Sequence, residues 1–309
     1  MAAEKLIRQF ERMIVPELFP KNDFMARAIN DDGYVNGNSV DIQNSGTIPD
    51  VLVDTSTYPI PVSRRTDVAH QYILENLNTE VTHIPTVEEL TEIGGRNKMN
   101  SIATQQASKI RTKAADRCIV NWLTGLPAGQ KVATTGAARN PSVPVATGQR
   151  KQITAEDVRA GLEILAADDV IMEGDSPVMV VNSAFYYNDL LGIDDFVRYD
   201  STAKANPALN NGLLGNLYGV EVYMRSRVAT VDASFDVKAE GAAGAATDAG
   251  TAILYHPNYV RRAVGAFKVY IETDKPQYAG DIMSTELRFG SVRSRNDDKG
   301  VIQIYEATV

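Results

Sequence analysis

The chain is short of the residues from which most active sites are built. Of its 309 residues, one is cysteine, three are histidine and one is tryptophan. The lone thiol, Cys118, excludes an internal disulfide framework and any metal site needing several thiolates from one chain. On a helix face of apolar residues it reads as a small buried side chain rather than a reactive group. His70, His83 and His256 are far apart and form no HExxH pair, so each reads as a strand or turn residue. A GxxxxGKS/T phosphate loop, a GxSxG elbow and a GxGxxG turn are all missing. Asp168-Asp169 and Asp194-Asp195 are adjacent carboxylates that cannot face one substrate, and Asp297-Asp298 lacks the ligand spacing of an EF-hand. The expectation is a protein that is not an enzyme, with no catalytic residues, cofactor or metal ligands.

Other shortages bound the setting. Basic residues number 31 against 39 acidic ones, a formal charge of −8, which argues against a general grip on nucleic acid. No apolar run approaches the ~20 residues that span a bilayer. The start, MAAEKLIRQFERMIVPELF, is charged throughout and lacks a secretory signal, so synthesis in a cytoplasm is expected. Lysine is absent from Asn22 through Asn97, so no amine for an isopeptide cross-link can come from that region.

What is present suits a folded protein: 44% hydrophobic, 23% charged and 7% aromatic residues, with length for two linked subdomains. Glu4 to Val15 spaces Leu6, Ile7, Phe10, Met13 and Ile14 as a short amphipathic helix ended by Pro16. Asn30 to Arg65 is rich in turn formers, with β-prone runs at Ser39–Ile42 and Val51–Val53. It reads as a long two-stranded excursion with little core of its own, which needs a partner surface. His70 to Thr82 reads as an irregular strand. Thr86 and Glu89 fit a capping box on a short helix that Gly94-Gly95 would end.

The longest helical pattern follows. Met99, Ala103, Ala107, Ile110, Ala114, Cys118 and Trp122 step by three or four along one face. Its polar side carries Arg96, Lys98, Lys109, Arg111, Lys113 and Arg117 against Asp116, either a solvated face or one that meets acidic segments of another chain. Residues 125–152 read as a loop. Thr154 and Asp157 cap a helix through Ala167, Pro177 to Asn182 is a buried strand, and Ser183 starts a helix through Leu191. AEGAAGAATDAG, within residues 231–250, has almost nothing to bury and reads as a mobile tip or surface insertion. From Thr251 the expectation is a strand (TAILYH), a helix from Pro257 to Ala266, and three strands (KVYIET, TELRFGSVR, GVIQIYEA) beside the long helix.

The segment NGLLGNLYGVEVYMRSR, Asn211 to Arg227, reads as loop, tight turn and strand, and it lies between VMVVNSAFYYNDLLG and ILYHPNYVRRAV. In pattern and order these three segments resemble the tailed-bacteriophage major capsid proteins of the Hong Kong 97-type fold. The resemblance implies an α+β chain divided into an N-terminal arm (1–29), an extended β-hairpin loop (30–65), a first peripheral part with the long spine helix (66–152), an axial subdomain (153–250) and a second peripheral part (251–309). It implies a coat protein of the virion capsid, forming pentamers and hexamers of an icosahedral shell around double-stranded DNA without sequence-specific binding or a membrane. The start near the arm, without a long helical preface, leads to the expectation of a separate scaffolding protein. A portal and optionally a decoration protein complete the expected partners. The residues expected at contacts between subunits are Phe10, Tyr34, Ile42, Val51, Tyr58, Arg64, Arg65, Lys109, Arg111 and Lys113. Two alternatives share features of the sequence: an encapsulin-like compartment shell of the same fold, and a soluble α/β enzyme with dispersed carboxylates.

Overall fold

A computed structural model describes residues 23–44, 51–56, 58–60, 62, 68–85, 98–170, 176–193, 196–198 and 213–309. The expected helix at Glu4–Val15, the capping box at Thr86, the turn at Gly94-Gly95 and Asp194-Asp195 lie outside these residues. In chain order, β1 (Ile29–Asn30), β2 (Ser39–Asn44), β3 (Val68–Ile73), β4 (Glu75–Asn78) and β5 (Thr82–Pro85) precede the long helix α1 (Lys98–Leu123). Then come β6 (Lys131–Ala133), β7 (Ala138–Arg139), β8 (Arg150–Lys151) and helix α2 (Ala155–Ala167). The strands β9 (Val178–Asn182), β10 (Val197–Arg198), β11 (Leu213–Leu217), β12 (Val220–Arg225) and β13 (Thr230–Val231) follow. The last four are β14 (Ala249–Tyr255), β15 (Val260–Lys275), β16 (Gly280–Arg293) and β17 (Val301–Tyr305).

Two sheets and α1 carry the architecture. The larger sheet has the order β10-β11-β12-β9-β14-β17-β6, with β13 beside β14. The smaller has the order β1-β15-β16-β4, with β5 also on β16. The apolar stripe read from the sequence is buried: Ala103, Ala107, Ile110, Ala114, Cys118 and Trp122 belong to one core with Val269, Met283, Leu287 and Phe289 of the smaller sheet. That core also takes in Val178, Val180, Ile253, Tyr255 and Val301 of the larger sheet, so one helix seals both. Trp122 sits at the junction, its indole N–H donating to the Arg261 carbonyl at 3.3 Å and its ring 5.1 Å from Tyr255 and 6.2 Å edge-on from Phe24. The Tyr255 hydroxyl donates to the Phe24 carbonyl at 2.9 Å, which fastens the start of the described chain to this centre. Burial pushes the Cys118 thiol up to about 12, in keeping with an unreactive packing residue.

The opposite face of the larger sheet is covered by α2, which packs Val158 and Leu165 against Met179, Val181, Leu254, Ile302 and Ile304. Its start is the expected capping box: Asp157 N–H donates to Thr154 Oγ1, and Thr154 N–H donates to the Asp157 carboxylate at 2.7 Å. A Cβ at Gly161 would lie 2.9 Å from Leu254 Cδ2, so a small residue lets helix and strand approach there. At the C-cap, Asp168 stands where the helix dipole disfavours a carboxylate, but Lys299 Nζ lies 2.8 Å away and Gln130 donates to it at 3.0 Å.

Several expectations are corrected. Pro257 opens only a 3-10 turn, Pro257–Tyr259, and the chain then enters a strand of 16 residues instead of a helix to Ala266. Residues Val260 to Val264 pair in unbroken register with Arg293 to Phe289, and Gly265 fits under Leu74 where a Cβ would come within 2.9 Å. The final strand, β17, joins the larger sheet between β14 and β6 and not the smaller sheet of β15 and β16, although Val301 still reaches the α1 core. The glycine-punctuated NGLLGN segment is itself strand from Leu213, and the tight turn is Tyr218-Gly219, both with positive φ (52° and 84°), a hairpin geometry that glycine eases. The helix expected from Ser183 through Leu191 is present, but only its first two residues are α-helical; Phe185–Asp189 is a π turn and Leu190–Gly192 a 3-10 turn. The stretch 125–152 contains β6, β7 and β8. The alanine-glycine segment is largely exposed but tied at its end, where the buried Asp248 accepts from Lys238 Nζ and Ala245 N–H, each at 2.8 Å.

Two measurements follow from this core. Trp122→Ala leaves a void where both sheets meet and is expected to cost about 3–5 kcal/mol in urea unfolding, with the slope of the transition unchanged. Asp168 is held below the usual carboxylate range, chiefly by its bond from Lys299 and against some desolvation. Its contribution is thus present above the unfolded-state value near ~3.9 and lost as pH falls through the lower folded value. Asp168→Asn is expected to melt lower than wild type by a steady margin between pH 5 and 8, a margin that closes below about pH 4.

Candidate functional site

The sequence-predicted excursion is rooted on the smaller sheet. β2 and β3 form an antiparallel ladder from Ser39↔Ile73 to Asn44↔Val68. One face of this ladder, Val40, Ile42 and Tyr72, makes a small satellite core with Leu74 and Ala263. Asp31, buried beneath it, accepts from the Tyr72 hydroxyl at 3.1 Å and from Arg261 Nη1 at 2.8 Å. Burial, then the Asp31 carboxylate, raise the proton affinity of the Tyr72 hydroxyl, which keeps it a donor. The root therefore joins β1, β3 and β15 through one carboxylate.

Beyond the ladder the described residues have no core. Val51, Val53, Tyr58 and Val62 are 88%, 81%, 75% and 94% exposed, and Ile60 is about half exposed. With the half-exposed Leu52, six large apolar side chains in twelve positions are an unusual load for solvent, since each Val, Leu or Ile gains about 1.5–3 kcal/mol when fully buried. Tyr34, below the root, is also exposed. Ile42 is not available to a partner: it points into the satellite core and is 5% exposed, a correction to its expected place at a contact. Phe10, Arg64 and Arg65 lie outside the described residues.

The basic side of α1 is partly neutralised by its own chain. Arg111 lies 3.3 Å from Asp23, Lys113 2.5 Å from Glu240, and Arg117 3.2 Å from Glu75 and 3.6 Å from Glu240. Such half-exposed pairs contribute roughly 0–1 kcal/mol each, but they set where the charges point. Lys109 is exposed on the wall of an open groove of about 560 Å³ between α1 and the β4–β5 segment, with Asn76, Glu80 and Gln106 among its lining. The structure thus divides the sequence-predicted contact residues into the projecting apolar loop and a charged helix face, which it does not bring together.

A buried ionic hub escaped the sequence reading. Arg139 on β7 lies 3.0 Å from Asp189 and 2.6 Å from Glu306, both carboxylates fully buried. Asp189 also accepts from Ile153 N–H, and Glu306 from Gly250 and Ser142 N–H. Burial pushes the Asp189 carboxyl up, and the Arg139 guanidinium opposes it. These residues are 50 and more positions apart in sequence, so no local spacing announced them. The hub holds the β7–β8 ribbon onto the larger sheet as a buried clamp in which both acids accept from Arg139 and from backbone N–H groups. Among the described residues no group of three or more His, Cys, Asp or Glu could hold a metal ion. No described helix is long and apolar enough to cross a membrane.

No family model and no curated protein sequence matches the chain. Solved structures do. A chain of the capsid of Ralstonia phage GP4 superposes with a TM-score of 0.65 at 12% identity, covering 92% of this chain and 87% of that one. The mature capsid of bacteriophage PhiM1 gives 0.58 at 14% identity, covering 93% and 87%. The capsid of Cyanophage P-SCSP1u gives 0.58 at 14% identity, covering 92% and 87%. With both chains covered nearly end to end, the protein has the α+β, Hong Kong 97-type fold of these capsid chains.

Proposed function

We propose that this protein is a major capsid subunit of a tailed phage, which assembles with copies of itself into an icosahedral shell enclosing double-stranded DNA. The observation that carries the reading is the near-complete overlap of its fold with phage capsid chains. The projecting loop supports it independently, because its exposed Val51, Val53, Tyr58, Ile60 and Val62 gain nothing on an isolated subunit. Laid on the next subunit, they would supply modest contacts that a closed lattice repeats many times. A net charge of −8 suits a container that surrounds DNA without gripping it. Pentamers and hexamers, a scaffolding protein, a portal and an optional decoration protein are the partners this role would use. Among the described residues, Lys109 of α1 is exposed and has no acid of its own chain paired with it, which suits it to an acidic segment of such a partner. The virion capsid would be its final location.

Electron microscopy of the purified chain, with its scaffolding partner where one is required, is expected to show closed icosahedral shells. Solitary compact particles under every condition would overturn the reading. Replacing residues 45–67 by an Asn-Gly hairpin turn joins the ends of the β2–β3 ladder directly. That variant is expected to keep the wild-type circular dichroism spectrum and to form no shells.

A further inference from the structure

Among the described residues, the outer edge of β15 in the smaller sheet is largely open. β1 covers only Arg261 and Arg262, and the Asp32 carboxylate accepts from Val264 N–H at 2.7 Å. From Ala266 to Lys275 no strand among the described residues lies along this edge. The stretch is regular between two register shifts, one at Val264/Phe267 and one at Glu272/Lys275, so neither bulge interrupts Phe267 to Glu272. Of the usual protections of an edge, Phe267 to Glu272 has no proline and no internal bulge; it carries the charges Lys268 and Glu272, which repel an arbitrary strand but complement each other in the pairing below.

The direction of its free backbone groups follows from the ladder. Thr285, the partner of Val269 on β16, turns its carbonyl and its N–H to Thr79 on the far side. The Val269–Thr285 pair is therefore a non-hydrogen-bonded one, and Val269 turns its own N–H and C=O to the open edge. Phe267 and Ile271 share that parity. Their side chains lie on the α1 face, partly buried, while Lys268, Tyr270 and Glu272 stand exposed on the other face.

The sequence of this edge, Phe267-Lys-Val-Tyr-Ile-Glu-Thr273, is self-complementary when read antiparallel about Tyr270. Val269 then pairs with Ile271 of a second copy through backbone hydrogen bonds, on both sides of the axis. Lys268 stands opposite Glu272 of the second copy, twice, and the two Tyr270 rings face each other. Lys268, Tyr270 and Glu272 fall at non-hydrogen-bonded positions, where opposed side chains are closest. Lys268 has no ion-pair partner among the described residues, and Glu272 is held only by an exposed pair with Lys275 at 3.0 Å. The Tyr270 hydroxyl donates to Glu286 at 2.7 Å, which keeps its ring over the strand.

We propose that β15 pairs with β15 of a second copy across a two-fold axis at Tyr270, joining two smaller sheets into one continuous sheet. A contact of about seven residues a side falls well below the ~1,600 Å² of a stable dimer, so it is weak alone and useful in a repeating lattice. It rests on the shell reading for that avidity.

Single-cysteine variants of the full chain test the register, with the buried Cys118 as an unreactive background. Under mild oxidation of assembled particles, Tyr270→Cys is expected to form disulfide-linked dimers, because Cα atoms at such a pair lie ~4.5 Å apart. Lys268→Cys, displaced by four residues or ~13 Å from its own copy, is expected to give at least roughly tenfold less dimer. Lys268→Glu is expected to reduce assembly, and Lys268→Glu with Glu272→Lys to restore it. Shells by electron microscopy without a Tyr270→Cys dimer, or with equal dimer from both variants, would overturn the pairing and leave the capsid reading standing. Absence of shells together with absence of dimer at high concentration would overturn both.

Discussion

The structure depends on one helix burying its apolar stripe against two sheets at once. Trp122, Cys118 and Ile119 lie in the same core as Leu287 and Phe289 of one sheet and Val178, Ile253 and Tyr255 of the other. Neither sheet closes this core alone: the larger takes α1 on one face and α2 on the other, and the smaller takes α1 together with the satellite core of the β2–β3 ladder. The indole that donates to the Arg261 carbonyl and packs tilted against Tyr255 is where the two halves are held in one body. Everything that projects from the molecule is placed by this joint, because β15 and β16 leave it as a long ribbon and the β2–β3 ladder is rooted on β15 through Asp31.

The rest of the surface is organised by what the core cannot supply. Among the described residues, the loop's valines, tyrosine and isoleucine find no cover, and no strand lies along the outer edge of β15 from Ala266 to Lys275. On a solitary protein both would be hazards of aggregation. On a subunit that tiles with its copies, as proposed above, apolar burial would cover the one and strand pairing the other. The buried clamp of Arg139 on Asp189 and Glu306 acts within the subunit, holding a ribbon whose own pairing is only two residues long.

Much of this was legible from periodicity. The α1 stripe, the capping box at Thr154 and the buried strand at Val178 were readable because each signal lies within one element. Pro257 misled because a helix-start signal is local, whereas the strand it opens is decided by pairing with Arg293 and its neighbours 30 residues away. GVIQIYEA was correctly a strand, but its place between β14 and β6 is a matter of topology that alternation cannot state. Ile42 was expected at a contact because it lies in the excursion, and only the satellite core shows that the ladder begins by burying it. The Arg139 hub left no trace, since its members come from three distant segments.

The amino-acid sequence by itself determined the kind of protein: a folded α+β chain with a long amphipathic helix, a coreless excursion, one cysteine where a multi-thiolate site needs several, and three histidines without HExxH spacing. These are properties of composition and of spacing over a few turns, which burial and hydrogen bonding impose locally. The tertiary structure alone decided which sheet each strand joins, which basic residues of α1 are met by acids of the same chain, and which edge is left open. Those outcomes arise from contacts between residues tens to hundreds of positions apart, and the free energy that selects them belongs to the packed whole rather than to any segment of it.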